Sequence, residues 1–209
     1  TGIYAIKERY GFGSIRYTLE HFNNDFVPTR SFDLDLEEDG RDVLIEKIIQ
    51  LNGKLYLFSS VANAKTKRKI LSVQQIDKQT LKPEKDKIRI AEIDFSGELK
   101  SNSGEFMIRV SRDSSKILAI YKLPFEKNEP EGFGFHVLTD EFRPLWNKQV
   151  KVPYENELFD IETVKVDNDG DVYMLGLIYK ERRKSKRRGS PNYSYRVFAY
   201  LERGTTLKE

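Results

Sequence analysis

The sequence of 209 residues contains no cysteine, only two methionines and a single tryptophan. The absence of cysteine excludes disulfides, thiolate zinc sites and thiol nucleophiles, but it leaves the cellular compartment open. No apolar run approaches the roughly 18 residues that a membrane-spanning helix needs. The formal net charge of +3 is too small to indicate nucleic-acid binding by itself.

The composition nevertheless predicts a folded domain, because 38% of the residues are apolar and 12% are aromatic. Segments rich in Val, Ile, Tyr and Phe mostly alternate with polar residues, which is typical of strands, and convincing amphipathic helices are absent. The chain has no signal peptide and begins at Thr1 rather than Met. This start suggests a processed or truncated chain, so the missing signal does not indicate a compartment.

A hairpin motif recurs along the chain: an apolar strand, a polar turn and a second apolar strand. The second strands open at Lys54, Lys116 and Asp171, which are 62 and 55 residues apart. The dipeptides at 52–53 (Asn-Gly) and 169–170 (Asp-Gly) suit hairpin turns in which the backbone needs positive φ.

A second motif recurs independently, namely an apolar residue, one spacer and a proline after a polar turn. The copies end at Pro28, Pro83 and Pro144, which are 55 and 61 residues apart. Two unrelated motifs thus share a period of 55–62 residues, which indicates tandem repeats. The alternative is that any all-β protein places hairpins at comparable intervals.

Each period holds four predicted strands, the pattern of β-propeller blades. We expect one domain over 1–209, with blades at 1–41 (partial), 42–97, 105–153 and 161–209 (partial). The predicted fold class is therefore all-β, an incomplete β-propeller with two whole and two partial blades. A chain that ended at Glu209 would either close as a four-bladed ring or leave an apolar edge for a partner.

Four segments carry a resemblance to known propellers: Ile48–Phe58, Val110–Lys116, Gly132–Val137 and Val166–Tyr173. The chain resembles WD40-like and TolB-like propeller proteins, and more closely a group of uncharacterised envelope-associated β-propeller proteins of Bacteroidota. It lacks the Trp-Asp dipeptide of WD40 repeats, since Trp146 is the only tryptophan. The resemblance implies a periplasmic or envelope-associated location and a binding role, and it supplies no catalytic residues.

A basic run is the most conspicuous local feature of the sequence. Its members are Lys180, Arg182, Arg183, Lys184, Lys186, Arg187 and Arg188. The run is predicted to lie on a long loop, where it could bind phosphates, an anionic glycolipid or an acidic protein, act as a nuclear localisation patch, or simply be solvated. Single-stranded nucleic acid is typically bound by stacking on aromatic side chains, and no aromatic residue lies within the run. Tyr193 and Tyr195 follow on the next strand, where we expect core packing to explain them, so nucleic-acid binding is disfavoured.

Other candidate sites favour structural roles. The segment Asp167–Asp171 has its glycine in the wrong place for a calcium loop and is better explained as a hairpin turn. His21 and His136 are one residue out of step between repeats, so they do not form a repeated ligand set. We therefore expect no metal and no cofactor. Acidic groups occur in three predicted turns: Glu37-Glu38-Asp39, Asp140-Glu141 and Glu155 with Glu157. The sequence alone does not show that any two of them converge at the separation that a glycosidase needs.

These observations favour a non-catalytic propeller that binds or scaffolds in a bacterial envelope and contacts a protein or polyanionic partner through its loops. Two alternatives stay open. One is a propeller hydrolase acting on glycans or peptides, with its site on blades outside this sequence. The other is a dedicated polyanion binder that uses the basic run.

Overall fold

The computed structural model describes residues 2–11, 15–95, 104–123, 129–181 and 192–209. Within these ranges the regular structure consists of sixteen β-strands in four antiparallel sheets, with no helix among them. Consequently no helix within the described ranges is long and apolar enough to cross a membrane. The chain divides into two compact units, Thr1–Arg89 and Ile90–Glu209.

The first unit contains two sheets. The first sheet is formed by β1 (Ile3–Tyr10), β2 (Ile15–Phe22) and β3 (Pro28–Leu34). The second sheet is formed by β4 (Glu37–Glu38), β5 (Arg41–Leu51), β6 (Lys54–Asn63), β7 (Arg68–Ile76) and β8 (Pro83–Asp94), of which β8 runs into the second unit. Alternate side chains of both sheets share one core, which includes Tyr17, Leu19, Leu55, Leu57 and Ile76.

The second unit contains the other two sheets. The third sheet is formed by β9 (Phe106–Val110), β10 (Lys116–Lys122), β11 (Pro130–Thr139) and β12 (Pro144–Glu155). The fourth sheet is formed by β13 (Phe159–Val166), β14 (Val172–Tyr179), β15 (Tyr193–Leu201) and β16 (Thr206–Lys208). Their common core is aromatic, with Phe133, Phe135, Phe159 and Phe198 almost completely buried.

The prediction of four-stranded antiparallel sheets is confirmed: two sheets have four strands, the second sheet has four longer strands and the short β4, and the first sheet has three. The structure adds two short strands, β4 and β16, because strands of two and three residues are too short to show alternation. The expectation that core packing explains Tyr193 and Tyr195 is wrong, since their side chains are 39% and 52% exposed.

Each sheet has two different ends. At the turn end lie the hairpins between the first and second strands and between the third and fourth strands, where the strands of the second sheet are counted from β5. At the connection end, the second strand leads to the third and the chain passes on to the next sheet. In the first sheet β1, β2 and β3 correspond to the second, third and fourth strands of the others, because the proline motif precedes β3, β8 and β12 alike.

The proline motif is a turn with a bulky residue in the left-handed region. Phe26, Leu81 and Phe142 have φ of 59°, 61° and 62°, a conformation that costs a non-glycine residue about 1–2 kcal/mol. Leu81 and Phe142 are buried, which offsets that cost, whereas Phe26 is exposed. The proline two residues later opens the edge strand, where its missing N–H is tolerated.

Asp77 fixes one of these turns. Its carboxylate accepts hydrogen bonds from the Thr80 amide (2.6 Å), the Thr80 hydroxyl (2.8 Å) and the Gln79 amide (3.0 Å). These bonds, chiefly the one from the Thr80 amide, hold the pKa of Asp77 below its usual value. The group therefore stabilises the fold above its unfolded-state pKa of about 3.9, and that stabilisation is lost as the pH falls through the lower folded-state pKa.

Replacing Asp77 by alanine (D77A) is expected to lower the urea midpoint of unfolding at pH 7, because three donors lose their acceptor. The difference from the wild type should shrink as the pH falls below about 4, since the wild-type carboxylate then becomes protonated. Urea unfolding followed by circular dichroism at pH 7, 5 and 3 measures this. Asp25→Ala is the matched control, because the Asp25 side chain has no hydrogen bond within the described residues. Equal losses in both variants would contradict the prediction.

Trp146 ties the third sheet to the fourth. Its indole N–H donates to the carbonyl of Gly170 (2.9 Å) inside the core of the second unit. Gly170 has φ of 91° in the turn between β13 and β14, so the turn predicted from its Asp-Gly dipeptide also supplies the acceptor for this bond.

The variant Trp146→Phe should lower the free energy of unfolding by about 1–3 kcal/mol, because it leaves a buried carbonyl without its donor. Tyr154→Phe removes an exposed hydrogen bond to Glu209 and should change stability far less. Urea unfolding at pH 7 compares the two variants. A Trp146→Phe protein as stable as Tyr154→Phe would show that the bond does not hold the sheets together.

Candidate functional site

An acidic segment joins the first sheet to the second at the connection end of the first unit. After β3 the chain makes a short hairpin, β4 to β5, whose two turn residues Asp39 and Gly40 have φ of 52° and 71°. Positive φ at both positions defines a two-residue turn that suits Asp-Gly. The turn sets the register, so that Glu38 lies opposite Arg41 and Glu37 lies opposite Asp42.

Three neighbouring cavities surround this segment. The largest has a volume of about 530 Å³, and two smaller ones have volumes of about 280 and 300 Å³. The walls of the largest cavity, called the cleft below, carry four carboxylates, two guanidinium groups, a phenol and a hydroxyl: Asp33, Asp35, Glu37, Asp42, Arg9, Arg16, Tyr17 and Thr18. The cleft therefore combines acids with hydrogen-bond donors.

Glu37 and Asp42 form a facing pair of carboxylates in the wall of the cleft. The amide of Val43 donates to the carbonyl of Leu36 (3.3 Å), so the adjacent pair Glu37 and Asp42 is the non-hydrogen-bonded one. Side chains of such a pair are the closer kind, with Cβ atoms about 4.5–5.5 Å apart. The hairpin thus places these two acidic residues, both exposed, at facing positions of paired backbone.

The acids of this segment differ in how they are neutralised. Glu38 pairs with Lys87 (2.7 Å) and Asp39 with Arg41 (3.6 Å). Within the residues that the structure describes, neither Glu37 nor Asp42 has an ion-pair or hydrogen-bond partner for its side chain. Since like charges directly opposite each other destabilise a sheet, the pair has no evident structural benefit.

Hydrogen-bond donors also line the cleft. Arg9 and Arg16 are direct cross-strand partners at the end of the β1–β2 hairpin, and neither pairs with a carboxylate among the described residues. Tyr17 is buried beside them, and this burial raises the pKa of its phenol. Asp33 is engaged, because its carboxylate accepts a hydrogen bond from Thr18 (2.7 Å).

A facing pair of Glu and Asp has the residue types that acid–base hydrolysis requires. In glycoside hydrolysis, one carboxyl group protonates the leaving oxygen and the other acts as nucleophile or activates water. The separations required are about 5–5.5 Å for retention and about 6.5–9.5 Å for inversion, both within the reach of an Asp–Glu pair. The described part of the chain holds no group of three or more His, Asp or Glu side chains that could hold a metal ion.

The basic run falls almost entirely outside the described residues, which include only Lys180 among its members. Lys180 is exposed at the connection end of the fourth sheet, and its amide donates to the carbonyl of Asn192 (3.0 Å). The remaining members, Arg182, Arg183, Lys184, Lys186, Arg187 and Arg188, lie in the range 182–191 that the structure does not describe. Binding of a polyanion or an acidic protein by this run stays a prediction.

The acidic groups predicted from the sequence fall at different ends of the sheets. Glu141 lies in a turn and pairs with Arg143 (2.5 Å), whereas Glu155 and Glu157 lie near the connection from β12 to β13. Glu37 enters the cleft. Its partner Asp42 was not among the predicted site residues, although the Asp-Gly turn dipeptide at 39–40 is a sequence signal that would have placed the two acids opposite each other.

The segment Asp167–Asp171 and the two histidines make contacts of the kind that stabilise a fold. The Asp167 carboxylate accepts hydrogen bonds from the amides of Asp169 (3.0 Å) and Asp171 (2.9 Å), as in a hairpin turn. His21 lies 2.5 Å (Nδ1 to Oγ1) from the hydroxyl of Thr29. Desolvation lowers the pKa of His136, and desolvation together with Arg30 lowers that of His21.

No family model and no curated protein matches this chain. Among solved structures, it is similar to an endo-arabinase from Bacteroides thetaiotaomicron VPI-5482, with 12% identity and a TM-score of 0.50 over 94% of this chain and 70% of that one. An α-L-arabinanase from Penicillium chrysogenum complexed with arabinobiose has 14% identity and a TM-score of 0.53, over 95% of this chain and 58% of that one. A GH93 α-L-arabinofuranosidase of Fusarium graminearum with arabinobiose has 12% identity and a TM-score of 0.51, with the same coverage of 95% and 58%.

These similarities confirm the β-propeller fold class, and the chain spans 58–70% of the length of the similar structures. They also correct the functional interpretation. The expectation of a non-catalytic binding or scaffolding propeller of the envelope is wrong, because the similar structures are enzymes of arabinose-containing substrates. The findings favour the hydrolase alternative. The resemblance to an envelope-associated group of Bacteroidota and the envelope location stay predictions.

Proposed function

We propose that this chain is part of a propeller hydrolase that cleaves glycosidic bonds, with Glu37 and Asp42 as its carboxylate pair. The observation that carries the proposal is the facing position of these two acids in the wall of the cleft, without a charge partner among the described residues. The cleft can take a sugar because its volume of about 530 Å³ lies within the range of small-molecule sites.

The pair divides the chemistry between its members. One carboxyl group donates a proton to the glycosidic oxygen. The other is ionised, and it either attacks the anomeric carbon itself or activates a water molecule that does so. The β4–β5 hairpin keeps both groups on paired backbone, which provides the positioning that such chemistry requires. A substrate bound between them excludes water and strengthens their electrostatic effect.

The donors that line the cleft position the sugar. Arg9 and Arg16 offer planar N–H groups that have no acceptor among the described residues, and sugar hydroxyl oxygens are suitable acceptors for them. The names of the similar structures supply the substrate class, since they include an arabinanase and an arabinofuranosidase, each with arabinobiose. We therefore expect arabinan and short arabino-oligosaccharides as substrates.

The proposal predicts that the protein releases reducing sugar from arabinan and that Glu37→Gln and Asp42→Asn each reduce kcat/KM by about 10²–10⁴-fold. These substitutions keep size and remove acid–base chemistry. Reducing-sugar and chromatographic assays on arabinan, xylan and arabinotriose measure both effects.

Glu141→Gln is the matched control, because Glu141 is an exposed acid in a turn whose carboxylate already pairs with Arg143. This variant should keep full activity. The proposal is refuted if the purified wild type cleaves none of these glycans, or if Glu37→Gln and Asp42→Asn are as active as Glu141→Gln. Circular dichroism of each variant separates loss of chemistry from loss of fold.

A further inference from the structure

A second cavity of the first unit lies between its first and second sheets. Its volume is about 300 Å³. Its walls come from β3, the segment 35–37, β5, β7 and the first half of β8 with the residue before it. We call this space the seam cavity.

The seam cavity adjoins the cleft along one short segment. Leu34, Asp35, Leu36 and Glu37 line both cavities, whereas Asp42 lines the cleft and is not among the walls of the seam cavity. Glu37, one of the two proposed catalytic acids, therefore stands where the cavities meet. A glycan whose glycosidic bond lies beside Glu37 would place one sugar in the cleft and its neighbour in the seam cavity.

Gln74 provides an unpaired acceptor in the wall of the seam cavity. The residue is only 7% exposed, and its Nε2 donates to the carbonyl of Glu84 (2.8 Å). Because a carbonyl oxygen only accepts, this bond fixes the orientation of the amide. Oε1 then has no donor among the described residues. A buried acceptor without a donor is unfavourable, so we expect an occupant of the cavity to supply a hydroxyl group.

Lys82 provides an unpaired cation. Its Nζ lies 5.6 Å from the centroid of the Phe32 ring, which also lines the seam cavity. Within the described residues Lys82 has no carboxylate partner, whereas Lys87 is paired with Glu38 (2.7 Å). An ammonium group has three N–H donors. Lys82 therefore keeps donors for a ligand.

The polar groups of the seam cavity decide what it suits. Asp35 and Glu37 make no side-chain hydrogen bond or ion pair within the described residues, so with Gln74 the cavity offers three acceptors beside one cationic donor. An anion would face the two carboxylates, a cation would face Lys82, and an apolar surface would leave all four groups without partners.

A neutral sugar avoids each of these costs. Each of its hydroxyl groups both donates and accepts, while its C–H groups can pack against the apolar walls of the cavity. The volume of about 300 Å³ lies at the lower end of the range of small-molecule sites, which suits one sugar unit.

We propose that the seam cavity binds the neutral sugar next to the cleaved bond, so that the substrate runs from the cleft past Glu37 into this cavity. Lys82 and Gln74 bind the hydroxyl groups of that sugar. Its neutral character rests on the polar groups of the cavity, and its place in the substrate rests on the proposed function. Neither Lys82 nor Gln74 lines the cleft, so both act on binding rather than on the chemical step.

The test is isothermal titration calorimetry of the full chain with arabinohexaose and with xylohexaose. The parent is Asp42→Asn, which slows cleavage under the proposed function and leaves the walls of the seam cavity unchanged. We expect this parent to bind one of the two hexasaccharides. Lys82→Ala should weaken the association constant by about tenfold or more, as expected for the loss of one hydrogen bond from a charged group.

Lys78→Ala is the matched control. The Lys78 ammonium group also lies over an aromatic ring, that of Tyr4 (5.9 Å to the centroid), and Lys78 lines none of the three cavities. This variant should bind like its parent. Gln74→Met is a second test variant, because methionine fills a similar volume without the amide oxygen, and circular dichroism checks its fold.

The proposal is overturned if folded Lys82→Ala and Gln74→Met proteins bind the hexasaccharide like their parent, or if the parent binds neither hexasaccharide. It is also overturned if an oligogalacturonide, which is anionic, binds more tightly than both. Lys82-dependent binding without any hydrolysis by the wild type would uphold the seam cavity and refute only the proposed activity. Hydrolysis without Lys82-dependent binding would refute only the seam cavity.

Discussion

The structure depends on the need of each sheet to bury one face. In the second unit, Phe133 and Phe135 of the third sheet pack against Phe159 and Tyr200 of the fourth, respectively. Each buried Phe ring contributes roughly 1.5–3 kcal/mol relative to an exposed one. Because strand side chains alternate with period two, a slip of one residue would expose the whole set. The rings therefore fix the register of the strands that carry them.

Two glycines show how strictly this packing is applied. A Cβ at Gly176 would meet the ring of Phe159, and a Cβ at Gly134 would meet the ring of Tyr121. Both glycines lie inside strands, where glycine is otherwise unfavourable, since it costs about 0.5–1 kcal/mol relative to alanine. They mark positions at which a neighbouring ring takes the space of a side chain. In the first unit, the two-residue turn of the β4–β5 hairpin fixes a register of its own and places Glu37 opposite Asp42.

The sequence predicted those features that depend on neighbours in the chain. Strands β6, β10 and β14 each follow a polar turn and are rich in apolar residues, and the prolines at 28, 83 and 144, whose spacing indicated a repeat, each open an edge strand. Features that depend on residues distant in the chain could not be predicted from the sequence. Tyr193 and Tyr195 have the composition of core residues, and only the pairing of β14 with β15 shows which face they occupy. The cleft likewise needs walls from β1, β2 and the segment after β3, which no local pattern joins.

Two groups of carboxylates in this chain differ in what their oxygens contact, and the distinction bears on function more than the fold does, because one fold hosts many activities. At the turn end, Asp77, Asp113 and Asp167 accept hydrogen bonds from backbone amides and so stabilise turns. At the connection end of the first unit, Glu37 and Asp42 make no such bond within the described residues, although they face each other across a hairpin. A carboxylate that holds a turn cannot easily exchange a proton with a ligand, since its oxygens are already engaged and its charge is already stabilised. Two unengaged carboxylates beside a cavity keep both their oxygens for a substrate. This difference, rather than the number of acids in the sequence, identifies the pair on which hydrolysis would depend.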